Sequence, residues 1–124
     1  MAEEKQRIIQ ELVPGKQVTL AHIIASPGRE LLKRLGSDRP GDGYEGRMDN
    51  GEAIGVLTVS PGETAIIMAD IAMKAADVSV AYMDYSAGSL ILTGSVSSVE
   101  AAVTALMDYV RDVLGYETVS MTRT

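Results

Sequence analysis

The stretch Val18-Thr19-Leu20-Ala21-His22-Ile23-Ile24-Ala25-Ser26-Pro27 decides how this chain is read. Up to Ala25 it is almost entirely apolar or β-branched, the make-up of a strand with at least one buried face. Period-two alternation over the β-rich segment from Lys16 to Ala25 predicts that Val18, Leu20, His22 and Ile24 share one face. Ser26-Pro27 then opens a helix, with serine as N-cap and proline at the first helical position. Leu31, Leu32 and Leu35 give that helix an apolar side, and Gly36 can end it.

Upstream, Arg7 to Val13 reads as a short extended segment, and Pro14-Gly15 suits the two central positions of a type II turn. The two segments form either a hairpin or two separately placed strands. Downstream, the segment from Ser37 to Glu52 holds four glycines, a proline and many charged residues. It has no hydrophobic period and reads as a flexible surface loop. Ala53 to Val59 is a buried strand. Ser60-Pro61-Gly62-Glu63 follows as a capping box that opens a helix to about Ala76. Val78 to Asp84 is a strand, Tyr85 to Gly88 a turn, and Ser89 to Thr93 a further core strand. Ser97 and Glu100 make a second capping box. The last helix carries Val99, Val103, Leu106, Val110 and either Val113 or Leu114 as a stripe, and Gly115 stops it. Tyr116 to Met121 reads as a terminal strand. This order of elements predicts an α/β (α+β) sandwich related to the split βαβ, ferredoxin-like plan.

At 124 residues the chain can bury one real core without staples. It has no cysteine, which excludes disulfides and thiolate metal sites and makes the cytoplasm the simplest expected compartment. Residues 1–10 carry mixed charge and no apolar signal-peptide core. No apolar run approaches the roughly 20 residues of a membrane span. The net charge of −6 argues against a nucleic-acid partner. With five tyrosines and no Trp or Phe, a base-stacking platform is not expected either.

The search for chemistry returns little. His22 is the one histidine. It lies mid-strand among apolar neighbours and is read as a packed structural residue rather than a base or ligand. The glycine-rich segment lacks the Gly-Lys-Ser/Thr ending of a phosphate loop, and Asp38, Asp42 and Asp49 do not have calcium-loop spacing. Asp108 and Asp112 are one helical turn apart and read as surface charge. Ser60, Ser97 and Ser98 are accounted for as caps, and Met68, Met73 and Met107 as core fill. No acid, base and nucleophile constellation forms, so no catalytic, cofactor or metal residue is expected.

Three segments carry a resemblance. They are Val13-Pro14-Gly15-Lys16-Gln17-Val18-Thr19-Leu20-Ala21-His22; Ala53 to Thr58 with Pro61-Gly62-Glu63-Thr64 and Asp70-Ile71-Ala72-Met73-Lys74-Ala75-Ala76; and Gly88 to Val96 with Ser97-Ser98-Val99-Glu100-Ala101-Ala102. Their sequence and their order resemble the circularly permuted bacterial microcompartment shell proteins of the ethanolamine- and propanediol-utilization type. In that family the strand that normally closes the domain comes first. The departure is Ser37 to Glu52, where the family has a shorter connection, and no role is carried onto it.

The resemblance implies a structural subunit that catalyses nothing and sits in a microcompartment shell in the bacterial cytoplasm. It implies a homohexameric tile with an axial pore, and as partners the chain itself, other shell proteins and encapsulated enzymes, without nucleic acid or membrane. The pore loop would be Asp84, Tyr85, Ser86, Ala87 and Gly88, and Lys74 would lie at the hexamer edge. Arg7, Ile8, Ile9, Gln10, Glu11, Leu12 and Val13 would form a β-barrel over the axis, within an extension of residues 1–15 that precedes a permuted domain of residues 16–124 with its loop at 37–52. A single such strand is unstable, but six closed around an axis leave no open edge. The alternative is a small oligomeric ligand-binding or regulatory protein with a ferredoxin-like fold.

Overall fold

The computed structural model describes residues 15–36 and 52–124. Along the chain these form β1 (Gln17–Ile24), α1 (Arg29–Gly36), β2 (Ala53–Ser60), α2 (Thr64–Ala75), β3 (Ser79–Asp84), β4 (Ser89–Gly94), α3 (Val96–Asp112) and β5 (Thr122–Arg123). The strands make one five-stranded sheet in the order β3-β4-β2-β1-β5. Its neighbours are antiparallel except β1 and β5, which run parallel. The mixed α/β plan expected from the order of elements is present.

Two apolar clusters sandwich the sheet. On one side α2 and α3 bring Ala65, Met68, Ala72, Val99, Val103, Leu106 and Val110 against Val18, Ile23, Leu57, Leu90 and Leu92. Alanines on the buried stripe of α2 let the two helices and the sheet approach closely. On the other side Leu32 of α1 packs with Ile54 and Ala81, joined by Leu35, Ile24, Val56 and Ile91. Of the apolar side predicted for α1, Leu32 and Leu35 dock, while Leu31 is 41% exposed. β2 occupies the middle of the sheet and is covered on both faces, which is why its sequence reads as a nearly continuous apolar run.

β1 departs from the expected alternation. Val18 pairs with Val59 but Leu20 pairs with Thr58, so Thr19 is an extra residue in a β-bulge. The bulge separates Val18 from the other three residues of the predicted face. Val18 is buried with Ala21 and Ile23, whereas Leu20 is 39% exposed and His22 and Ile24 are half-buried on the α1 side. The uniform period could not anticipate an inserted residue.

The helix starts also differ. α1 begins at Arg29, two residues after Pro27, because Ala25 and Ser26 form a bend. Ser60 is not a cap, since it is still paired with Gln17 as the last residue of β2. Glu63 holds the N-cap position of α2 without a side-chain bond. A tight turn delivers the chain instead, in which the amides of Thr64 and Ala65 donate to the carbonyls of Pro61 and Gly62. α3 is capped by Ser95, whose Oγ accepts the Ser98 amide at 3.1 Å, two residues before the expected Ser97.

At the far end of α3, Leu114 packs on the core and Val113 is 62% exposed. Gly115 has φ +76° where the helix stops, while the turn expected at Pro14-Gly15 involves Pro14, which lies outside the described residues. The expected terminal strand at Tyr116–Met121 is absent. Glu117 makes a single bridge to Gln17, and pairing resumes only at Thr122. The gap lies alongside the bulge of β1, whose extra residue breaks the even spacing of groups on that edge.

Candidate functional site

The turn from Asp84 to Gly88 is built as a rigid projection. Asp84 Oδ1 accepts from the Ser86 hydroxyl at 2.7 Å, the Ser86 amide at 3.0 Å and the Ala87 amide at 3.2 Å. The Ser86 hydroxyl first, and then the two amides, hold the Asp84 carboxyl below the usual carboxylate value. The Gly88 amide closes the turn on the Asp84 carbonyl at 2.7 Å. Gly88 has φ +82°, which an L side chain rarely adopts. A Cβ there would also stand 2.0 Å from the Val59 carbonyl oxygen. At Gly62 a Cβ would stand 2.4 Å from the Tyr85 carbonyl oxygen. The turn is thus wedged against the junction of β2 and α2 by backbone contact that only glycine permits. Tyr85, 56% exposed, and the exposed Ser86 and Ala87 are what it presents to solvent.

Lys74 lies at the other end of α2. Its Nζ is 2.9 Å from Asp70 Oδ2, and both side chains are exposed. The pair joins residues one helical turn apart and also places a cation in the last turn, where the helix dipole favours it. From Thr64 to Lys74 the helix rises roughly 15 Å, so the turn and the lysine are held apart by the length of α2. Ile66, Ile67 and Met73 are exposed on the same helix. Met73 is 55% exposed and is not core fill, unlike Met68 and Met107.

The remaining candidates fall elsewhere. His22 is not enclosed by apolar residues; its Nδ1 is 2.6 Å from Thr122 Oγ1 and its Nε2 2.9 Å from Thr124 Oγ1. Asp108 and Asp112 are joined by Arg111, which bonds Asp108 at 2.9 Å and Asp112 at 2.9 and 3.2 Å. Arg111 holds the Asp112 carboxyl below its usual range, and the two aspartates push the guanidinium up. The sequence reading passed over Arg111, although its position three residues after Asp108 was the available signal. A groove of about 390 Å³ between α3 and residues 118–121 is lined by Thr104, Met107, Arg111 and Met121, among others. Among the described residues no three His, Asp or Glu side chains gather as a metal site, and no helix is long and apolar enough to cross a membrane. The barrel residues Arg7 to Val13 and the segment 37–51 lie outside the described residues.

Comparison with known proteins shows the family. The BMC domain family matches residues 53–122. Over 120 residues the chain is 46% identical to the bacterial microcompartment shell protein EutS of Escherichia coli (strain K12), covering 97% of this chain and 98% of that one. It is 44% identical over 117 residues to the bacterial microcompartment shell protein CutR of Streptococcus intermedius, covering 94% and 91%. A solved flat hexamer of CutR superposes with a TM-score of 0.75 at 40% identity, over 90% of this chain and 94% of that chain. The family match begins at Ala53, so β1 and α1 stand in front of it, the order that a permuted domain has. This chain belongs to the circularly permuted bacterial microcompartment shell proteins.

Proposed function

We propose that this chain is a structural subunit of a microcompartment shell and that it assembles as a six-fold tile. The observation that carries the reading is identity of 46% along nearly the whole of both chains with a shell protein. The CutR flat hexamer supports six-fold closure. In this tile Asp84 to Gly88 faces the axis as the pore loop. Its rigidity suits a pore, because backbone wedging at Gly62 and Gly88 holds the aperture without relying on flexible side chains. Lys74, at the opposite end of α2, lies at the tile edge. Arg7 to Val13 form the axial barrel, in an extension of residues 1–15 outside a permuted domain of residues 16–124. Other shell proteins meet the tile at its edges, and encapsulated enzymes face one of its surfaces. The alternative, a ligand-binding or regulatory oligomer, has no relative or described site in its favour.

Light scattering on the intact protein tests the tile, with an expected mass of about six chains. A stable monomer at micromolar concentration overturns it. Lys74→Ala tests the edge. As a helix-end cation alone, the lysine contributes only a few tenths of a kcal/mol, and its loss leaves tiling unchanged. At an edge, the variant keeps its hexamers but forms no sheets in electron micrographs. Deleting residues 1–13 tests the barrel, because the described core begins at Val18. The melting temperature should hold while the axis opens. A truncated chain that fails to fold overturns that placement.

A further inference from the structure

β5 is held by its side chains more than by its length. The strand is only two residues long, and the chain before it leaves the edge of β1 between Glu117 and Thr122. Backbone bonds continue one residue further. The Thr124 amide donates to the Ile23 carbonyl at 2.9 Å, and the Ala25 amide donates to the Thr124 carbonyl at 2.8 Å. Alternate side chains then grip both faces of the sheet. Thr122 and Thr124 meet the two ring nitrogens of His22 on the α1 side. Arg123 points the other way and pairs with Glu100 on α3.

Thr122 Oγ1 also lies 3.4 Å from the Ala21 carbonyl, to which it can only donate. Each ring nitrogen of His22 meets one threonine hydroxyl, and in the neutral ring one nitrogen donates while the other accepts. A ring between two hydroxyls fixes the strand better than either bond alone.

Beneath the strap lies the outer edge of β1, an apolar and β-rich segment. An open edge of that kind is a template for another strand. We propose that residues 122–124 are an edge cover, clipped by His22 on one face and by Glu100 on the other, that denies the edge of β1 to the β1 of a second copy. The pairing it prevents is antiparallel and two-fold, since an edge that meets itself across a two-fold axis runs antiparallel. This inference does not rest on the tile reading.

The test uses the full chain carrying Thr122→Val and Thr124→Val, which keep shape and β-propensity but remove both hydroxyls. His22→Ala removes the same clip from the other side. Amide exchange reads the strap at Ala25, whose N–H is bonded to Thr124, and reads the rest of the sheet at Val59, whose N–H is bonded to Gly88. In both variants Ala25 should exchange about tenfold faster or more while Val59 stays at the wild-type rate. Relative to wild type, concentrated samples should gain an intermolecular β signal in the infrared. An unchanged Ala25 rate, an equal rise at Val59, or a freed Ala25 without new β association overturns the proposal.

Discussion

Val59 and Gly88 touch through their backbones in two ways. The Val59 amide donates to the Gly88 carbonyl at 2.8 Å, while the Val59 carbonyl oxygen fills the space where a Gly88 Cβ would be. The end of β2 and the turn between β3 and β4 are therefore one rigid unit, and α2 starts from it.

Gly88→Ala should be among the most damaging small substitutions. It combines a left-handed φ with a backbone clash that no rotamer relieves. The conformational strain alone costs about 1–3 kcal/mol, and the clash adds to it. Urea titration should show a lower midpoint with an unchanged slope. A midpoint within error of wild type means that the turn can lift away from Val59.

Asp84 links this turn to pH. Its folded carboxyl is held below the ordinary 3.8. A depressed carboxylate contributes stability that is complete above its unfolded value and is lost as pH falls through its folded value. The wild type should therefore lose part of its stability from just below pH 3.8 downward. Asp84→Asn should be the less stable protein at neutral pH, and the two should converge in acid. Urea midpoints across the acid range check this, and a constant gap at every pH removes Asp84 as the cause.

Thr64 and Tyr116 share a hydrogen bond that ties the start of α2 to the segment after α3. The Thr64 side is nearly fully buried. Tyr116→Phe leaves that hydroxyl without its partner and should cost about 1–3 kcal/mol. Thr64→Val with Tyr116→Phe should cost less than the sum of the single changes, because no stranded donor remains. Additive costs in a double-mutant cycle would falsify the bond as an energetic link.

Leu32 is the residue through which α1 holds the sheet, packed with Ile54 and Ala81. Leu32→Ala should cost about 2–3 kcal/mol, at the low end for buried leucine because the surrounding helix is short and can settle. Thermal unfolding measures the loss, and exchange should rise first in α1. A variant as stable as wild type means that α1 contributes little to the fold.

Much of this protein was readable without coordinates. The stripe Val99, Val103, Leu106 and Val110 set both the existence and the buried face of α3, since helical spacing is a local property. The turn at Tyr85 to Gly88 was readable for the same reason, because a short run holding Ser86 and ending in glycine between two apolar strands has few other solutions. The order of the segments, with Val18 to Ala25 placed before Ala53, carried the family and its permuted domain.

What the tertiary structure alone decided has its cause in residues far apart along the chain. Thr19 becomes a bulge only in register with Val59 and Thr58 of β2, and that one residue put Val18 on the core face with Ala21 and Ile23, apart from Leu20, His22 and Ile24. Ser60 lost its capping role because Gln17 claims it for the sheet. His22 found its hydrogen-bond partners in hydroxyls 100 and 102 positions away. Periodicity and capping chemistry act over a few residues, and they determined the elements. Register, strand edges and side-chain clips form only when distant segments meet, and they determined which face of each element is buried and which residues hold it there.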